Sequence, residues 1–175
     1  MKSNIYLTGF SATGKTTTGR KLGEILDMTF VDLDSVIERC CGKKIPNIFL
    51  EYGEEHFRFL EAKCLGVVAS ENNQVISTGG GLPVRLENRE VMFATGTVVC
   101  LQADPAVILD RLVSQERSEG EKAYRPMLDS PQPLIKIKEL LKLRAQIYAA
   151  CQIVIATDNK SPQMVADEII KGLNL

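Results

Sequence analysis

The sequence predicts an α/β fold in which a mostly parallel sheet carries helices on both faces. Short apolar runs rich in β-branched residues alternate with longer segments of helical periodicity, and signals that start helices stand between them. The candidate strands are Asn4–Leu7, Thr29–Leu33, Val75–Ser77, Val98–Leu101 and Ile153–Ile155. Helical segments between successive strands are the connections that a parallel sheet requires.

Helix starts are predicted where serine or aspartate precedes proline, because the side-chain oxygen can cap the first turn and proline suits the first helical position. The pairs are Asp104-Pro105, Ser130-Pro131 and Ser161-Pro162. Apolar spacing predicts a further helix over residues 54–69. The charged segment Ser114–Tyr124 lacks apolar periodicity, so it is predicted to be a mobile loop or lid.

Composition restricts the classes of partner. A net charge of -1 and a pI near 5.9 argue against bulk binding of nucleic acid or an anionic membrane. No apolar run approaches the roughly 20 residues of a membrane span. The five cysteines have no C-x-x-C spacing and His56 is the only histidine, which disfavours a disulfide framework or a zinc site. A reducing compartment, the cytosol, is therefore expected.

A phosphate-binding loop is predicted directly after the first strand. Gly9, Gly14, Lys15 and Thr16 match the pattern G-x-x-x-x-G-K-[ST], and an amphipathic helix follows. Backbone N–H groups at that helix start would cradle phosphate, with Lys15 adding charge and the Thr16 hydroxyl available to Mg²⁺. The loop residues predicted to bind nucleotide are Gly9, Ser11, Ala12, Thr13, Gly14, Lys15, Thr16 and Thr17.

A guanine-reading switch is the alternative class for such a loop. Its N-K-x-D signature is missing, since the nearest candidate, which starts at Asn159, has Pro162 in the aspartate position. The sequence therefore favours a kinase over a switch.

Acidic and glycine residues follow the predicted second and third strands, where open α/β sheets bind ligands. Asp32 and Asp34 are two apart, which on a strand would direct both carboxylates to one side. One can serve Mg²⁺ through water and the other can accept a proton from an acceptor hydroxyl, although Asp34 as a plain helix cap is equally compatible. Gly79–Gly81 form either a flexible turn or a surface where a ligand approaches bare backbone.

Three arginines are candidate clamps for carboxylate or phosphate, because the planar guanidinium can bind two oxygens. They are Arg58, Arg125 and Arg144, each of which taken alone is more often a surface charge. Arg125 has the best independent case because it ends the lid-like segment. Glu61 is a candidate orienting partner of Arg58.

Two further residues allow more than one interpretation. Arg111 can lie against the adenine or pair with Asp104 or Glu116. Asp104 also follows an apolar strand and competes with Asp32 as a metal ligand. Because Asp104 is explained as a helix cap, Asp32 is preferred.

With these motifs in order, the chain resembles shikimate kinases over nearly its whole length. The motifs are G-F-x-x-x-G-K-T at 9–16, D-x-D at 32–34, G-E-x-x-F-R-x-x-E at 53–61, T-G-G-G at 78–81, R-P-M-L at 125–128 and L-x-x-R-x-x-x-Y at 141–148. The resemblance implies a P-loop NTPase fold of three α/β/α layers, with a five-stranded parallel sheet, helices on both faces and a lid loop. It also implies Mg²⁺-dependent transfer from ATP to the 3-hydroxyl of shikimate, in chorismate and aromatic amino-acid biosynthesis.

Site residues follow from the resemblance by position. Shikimate would be held by Asp34, Arg58, Arg144 and the strip Gly79, Gly80 and Gly81, with Asp34 also as the base. Charge on the transferring group would be stabilised by Lys15 and Arg125, while Thr16 and Asp32 bind Mg²⁺ and Arg125 contacts the nucleotide. Arg111 is a further candidate for binding the nucleotide, from its own position in the sequence and not from the resemblance.

The resemblance further implies one domain over residues 1–175, with a shikimate-binding subdomain at about 33–61 and a lid at about 113–125. A cytoplasmic monomer with ATP and shikimate as its substrates, and neither nucleic acid nor membrane as partner, is expected. Ala12 departs from the family pattern, which has glycine there. The alternatives are another small kinase of the gluconate or nucleoside monophosphate type, or a nucleotide-binding protein without turnover.

Overall fold

The computed structural model describes residues 4–119 and 130–174, and its five strands form one parallel sheet. The order across the sheet is β2-β3-β1-β4-β5. The strands are β1 (Asn4–Gly9), β2 (Thr29–Asp32), β3 (Gln74–Ser77), β4 (Gly96–Gln102) and β5 (Ile153–Ala156). The predicted strands and the predicted parallel pairing are confirmed.

Seven helices are described, together with one 3₁₀ turn at Leu82–Val84. They are α1 (Lys15–Leu26), α2 (Leu33–Cys41), α3 (Ile45–Ala69), α4 (Leu86–Thr95), α5 (Pro105–Glu119), α6 (Pro133–Ala149) and α7 (Pro162–Leu173). Within residues 4–119 and 130–174, none of them has both the length and the apolar character needed to cross a bilayer.

The period of two along β1 divides the core between the two faces of the sheet. Tyr6 packs on one face with residues from α2, α3 and α4, whereas Ile5 and Leu7 pack on the other with α1 and α7. Phe10, just beyond the strand, joins a third cluster formed with α5 and α6. Helices therefore cover both faces of the sheet, as predicted.

Gly53 interrupts the long helix α3. Its backbone has φ 79 and ψ 176, outside the helical region, so the chain turns there before it continues. The segment after the turn is the predicted helix 54–69. Glycine suits the position because positive φ carries no Cβ penalty.

Three predicted boundaries are wrong. Strand β2 ends at Asp32, and Leu33, predicted as its last residue, begins α2. Helix α6 begins at Pro133 instead of after Ser130, whose hydroxyl oxygen accepts a hydrogen bond from the Gln132 N–H at 3.3 Å. Helix α5 continues to Glu119, so the first part of the predicted loop Ser114–Tyr124 is helical. Gln, Glu and Arg favour the helical conformation even where no apolar spacing is present. A prediction from apolar periodicity therefore missed this C-terminal end of α5. Residues 120–125 of the predicted lid lie outside the described residues.

Candidate functional site

The side chain of Lys15, the first residue of α1, folds back onto the loop between β1 and α1. Lys15 Nζ donates to the carbonyl oxygens of Gly9 at 3.0 Å and Phe10 at 2.7 Å, and the residue is only 9% exposed. Burial lowers the pKa of Lys15 to about 8, although the nearby Asp34 carboxylate opposes this effect. A phosphate group at the helix start would supply the compensating charge that these carbonyls lack.

Ala12 adopts a left-handed backbone conformation, with φ 59. Its carbonyl oxygen accepts a hydrogen bond of 3.2 Å from Arg111 Nη1. Glycine would adopt this backbone conformation freely. For alanine, an L-residue, the left-handed conformation costs roughly 1–2 kcal/mol of conformational free energy.

A cavity of about 240 Å³ opens beside the loop and is bounded by α5, α7 and the connection after β5. Arg111 reaches across it, since Nη1 donates to Thr157 Oγ1 at 3.0 Å and Nη2 to the Thr157 carbonyl at 2.8 Å. Among the described residues, Arg111 therefore bonds Ala12 and Thr157 rather than Asp104 or Glu116. The cavity is lined by Ala12, Thr13, Gly14, Thr17, Thr18, Arg111, Gln115, Thr157, Lys160, Pro162 and Val165.

Sequence reasoning missed the side of this cavity formed after β5. Thr157 and Lys160 follow the last strand, and the strand-end rule that found Asp32 and Gly79–Gly81 applies equally to them. This segment was compared with the guanine-binding signature, which it does not match, and was predicted to hold a helix cap at Ser161-Pro162, but it was not considered as part of a binding site. The cap is confirmed, with Ser161 Oγ accepting from the Met164 N–H at 3.3 Å.

Thr16 and Asp32 lie together at the edge of the loop. The Thr16 hydroxyl donates to Asp32 Oδ2 at 2.9 Å, while Asp32 Oδ1 accepts from the Ser35 N–H at 3.2 Å. Asp32 therefore caps α2, and the alternative that Asp34 is the cap is wrong. Asp104 Oδ1 accepts from the Ala106 N–H at 2.8 Å, so its role as a cap is confirmed. A hydroxyl and a carboxylate side by side are oxygen donors that suit Mg²⁺.

Asp34 lies in the first turn of α2, since β2 ends at Asp32, so the predicted two-residue strand spacing does not apply. The two carboxylates are nevertheless close enough to interact. Burial, together with the charges of Asp32 and Glu61, raises the pKa of Asp34 to about 6, although the charge of Lys15 opposes this effect. A carboxylate with such a pKa is a suitable general base near neutral pH.

The glycine strip Gly79–Gly81 passes directly beside the acidic and basic groups of α2 and α3. A Cβ on Gly79 would lie 2.9 Å from Glu61 Oε1 and 3.0 Å from Asp34 Oδ1, and one on Gly81 would lie 2.7 Å from Arg58 Nη1. Side chains would displace these groups. Close approach of these protein side chains to the backbone therefore explains the glycines at 79 and 81, and the contact of a ligand with the strip stays a prediction.

Arg58 is held by two glutamates of its own helix. Nη1 donates to Glu61 Oε2 at 2.7 Å and Nη2 donates to Glu54 Oε1 at 3.0 Å, which confirms Glu61 as the orienting partner. Glu61 is 1% exposed, and burial raises its pKa although the Arg58 guanidinium opposes this. Its Oε1 has no hydrogen-bond partner among the described residues.

Arg144 and Tyr148 approach the same strip from α6. Arg144 Nη1 donates to the Gly80 carbonyl at 3.3 Å, and the Tyr148 hydroxyl donates to the same oxygen at 2.7 Å. The structure thus brings together Arg144 and Gly80, two residues predicted to bind shikimate, and adds Tyr148, which the sequence analysis named only as part of a motif. Ser11 and Thr17 lie in the phosphate loop and the first turn of α1, whereas Arg125 lies outside the described residues.

Comparison with known proteins is consistent with this geometry. The family model described as shikimate kinase matches residues 11–174. A shikimate kinase of Symbiobacterium thermophilum is 42% identical over 172 residues, covering 97% of this chain and 95% of its own, and one of Sulfurihydrogenibium sp. is 41% identical over 167 residues, covering 95% of both. The solved structure of an Acinetobacter baumannii shikimate kinase in complex with shikimate superposes with a TM-score of 0.89 at 35% identity, covering 98% of this chain and 93% of that one.

Proposed function

Because the chain belongs to the shikimate kinase family, we propose that it transfers the γ-phosphoryl group of ATP to the 3-hydroxyl of shikimate, giving shikimate 3-phosphate and ADP. One observation carries the acceptor assignment. Asp34, Arg58 and the strip Gly79–Gly81 converge beside the phosphate loop, which offers a base, a cation and bare backbone to one small polar acid.

ATP would bind with its phosphates at the start of α1 and its nucleoside in the cavity beside Arg111 and Thr157. Lys15 would leave the carbonyls of Gly9 and Phe10 and neutralise the phosphate oxygens, with Arg125 acting from the lid. Thr16 and Asp32 are the residues that would hold Mg²⁺, which supplies further positive charge to the phosphates.

On the acceptor side, Arg58 and Arg144 would grip the shikimate carboxylate from opposite helices, with the glycine strip between them. Asp34 would accept the proton of the 3-hydroxyl. The hydroxyl oxygen would form its bond to the γ-phosphorus as the bond from that phosphorus to ADP breaks. Most of the rate enhancement would come from placing this oxygen in line with the phosphoryl group, because such transfers need little covalent help from protein.

The proposal includes the organisation expected from the sequence. Residues 33–61 would form the shikimate-binding subdomain and residues 113–125 the lid of one domain that spans 1–175. The protein would act as a cytoplasmic monomer. The described residues that support the subdomain are Asp34 of α2 and Arg58 and Glu61 of α3, whose side chains lie beside the strip.

An acceptor-competition assay tests this function. ADP release is measured with Mg²⁺-ATP and shikimate, gluconate or AMP, and the product is identified by ³¹P NMR and mass. We expect turnover with shikimate alone and a phosphate ester at its 3-oxygen. Preference for gluconate or AMP would instead indicate a different kinase, and ATP binding without any phosphorylated acceptor would indicate a nucleotide-binding protein without turnover.

A further inference from the structure

Tyr148 makes a hydrogen bond to the glycine strip across 68 residues of sequence. The residue is 4% exposed and packs in the core cluster that includes Phe10, Ile108 and Ile137. Its hydroxyl donates to the Gly80 carbonyl at 2.7 Å. Because burial raises the pKa of the phenol, the hydroxyl keeps its proton and remains a donor.

Gly80 rests against the phosphate loop. A Cβ at this position would lie 3.4 Å from both the Gly9 carbonyl oxygen and the Ser11 nitrogen, which is close to the limit of contact. Its neighbour Gly79 lies beside Asp34. The strip therefore fills the gap between the residue proposed as base and the loop proposed to hold the phosphates.

The neighbouring carbonyls are bound in a different way. The oxygens of Gly79 and Gly81 accept from the N–H groups of Leu82 and Val84 at 3.2 Å and 3.1 Å, within the turn that follows the strip. The Gly80 oxygen is instead bound from α6. Among the described residues, its donors are the side chains of Tyr148 and Arg144.

We propose that Tyr148 is a positioning residue for phosphoryl transfer, whose hydroxyl holds the Gly80 peptide against the phosphate loop and so sets the distance between the acceptor and the phosphoryl group. The inference rests on the proposed function. Tyr148 acts through Gly80 and does not touch the acceptor. Such an effect on rate is expected because small displacements of reacting groups strongly slow a reaction that depends on alignment.

The lengths of the two hydrogen bonds to the Gly80 carbonyl oxygen indicate different roles for Tyr148 and Arg144. The Arg144 bond to Gly80 is the longer one, 3.3 Å against 2.7 Å, and Arg144 is the residue that would turn towards the substrate carboxylate. When it does so, Tyr148 remains as the donor that keeps the peptide in place. The tyrosine thus matters most in the loaded enzyme.

Tyr148→Phe tests the inference, with Tyr6→Phe as the matched control. Tyr6 is also fully buried, and its hydroxyl lies 2.7 Å from Thr95 Oγ1, in the core away from the strip. We expect Tyr148→Phe to lower kcat with shikimate about tenfold, as one lost hydrogen bond to a buried carbonyl implies, and to leave the KM for ATP within about twofold. Because a misplaced acceptor leaves some phosphoryl groups to be transferred to water, release of ADP and inorganic phosphate should exceed shikimate 3-phosphate formation. Tyr6→Phe should keep the native kcat and a one-to-one product ratio.

Hydrogen exchange supplies a second measurement that does not depend on turnover. Amides of residues 79–84 should exchange faster in Tyr148→Phe than in the native protein. In Tyr6→Phe their exchange rates should equal those of the native protein. If the native chain makes shikimate 3-phosphate but Tyr148→Phe matches Tyr6→Phe in kcat, product ratio and exchange, the role of Tyr148 is overturned while the proposed function stands. If the native chain makes no shikimate 3-phosphate, the proposed function fails, and this inference with it.

Discussion

Thr16 and Asp32 are joined by a hydrogen bond of 2.9 Å, from the Thr16 hydroxyl at the start of α1 to Oδ2 of Asp32 at the end of β2. The other oxygen of Asp32 caps α2 through Ser35. One carboxylate thereby fixes a helix start and offers its second oxygen beside the phosphate loop. The capping role of Asp32 and its proposed role as a metal ligand are separable because they would use different oxygens.

Asp32→Ser separates these roles. Serine is as good a cap as aspartate but brings no charge, so α2 should keep its start. We expect the Mg²⁺ concentration for half-maximal activity to rise by about 10–100-fold, the usual effect of weakening a metal site. Ser161→Ala is the control, because it removes the cap of α7, costs about 1 kcal/mol of stability and should leave the Mg²⁺ requirement unchanged. An unaltered requirement in Asp32→Ser would remove Asp32 from the metal site.

Asp34→Asn should stabilise the unliganded protein while it abolishes most activity. A carboxyl pKa of about 6 in the fold, against 3.8 as the ordinary value, corresponds to about 3 kcal/mol lost when Asp34 is ionised, which is an upper bound for the gain. Because the folded chain holds this proton more tightly than the unfolded chain, the contribution of Asp34 to the free energy of unfolding falls as pH rises from about 4 to about 6, and then levels off.

Urea unfolding at pH 4.5 and pH 8 measures this effect. Asp34→Asn should gain about 1–3 kcal/mol at pH 8 relative to the native chain and much less at pH 4.5. Asp110→Asn, at an exposed position of α5, should show no such gain. If Asp34 is the base, as proposed, its replacement should lower kcat by about 10²–10⁴-fold while ATP still binds. A variant with near-native kcat would exclude Asp34 as the base.

Arg58→Ala should raise the KM for shikimate by about 100-fold and the KM for ATP by less than about threefold, because a charge-assisted clamp on the acceptor is removed. It should also cost about 3 kcal/mol, since the buried Glu61 loses its partner. The double variant Arg58→Met, Glu61→Met should recover most of this stability without recovering shikimate affinity. Steady-state kinetics and urea unfolding report the two effects separately. If both KM values rose equally, Arg58 would be structural.

Ala12→Gly should increase the free energy of unfolding by about 0.5–1 kcal/mol. Relief of the left-handed conformation at φ 59 contributes roughly 1–2 kcal/mol, and the greater freedom of glycine in the unfolded chain offsets part of it. The same change at Ala145, an exposed position inside α6, should cost about 1 kcal/mol. Denaturant midpoints of both variants measure the contrast. Equal destabilisation by the two changes would contradict a strained Ala12.

Local patterns were sufficient for the strands and for most helix starts. Ser161 caps α7 as its sequence neighbours predict, because a cap uses only atoms a few residues apart. Ser130 failed the same test because Pro133 supplies a competing start two residues after Pro131, and local rules do not rank the two. The charged end of α5 was missed because helix formation there does not depend on an apolar face.

The sequence by itself was enough to predict the phosphate loop and to single out the acidic and glycine residues after the strands as site candidates. It also identified the family, through the order of its motifs. The loop and the strand-end residues are short-range signals, since they depend on spacings within a turn or a strand end, whereas the family depends on the order of such motifs along the chain. Only the tertiary structure decided that Asp32 rather than Asp34 caps α2, that Thr157 faces Arg111, and that Tyr148 binds the Gly80 carbonyl. The contacts of Thr157 and Tyr148 depend on the order β2-β3-β1-β4-β5 and on the packing of helices on that sheet, which bring together residues far apart in sequence. The Asp32 cap is local, but it depends on where β2 ends and α2 begins, which the spacing of the two aspartates left open.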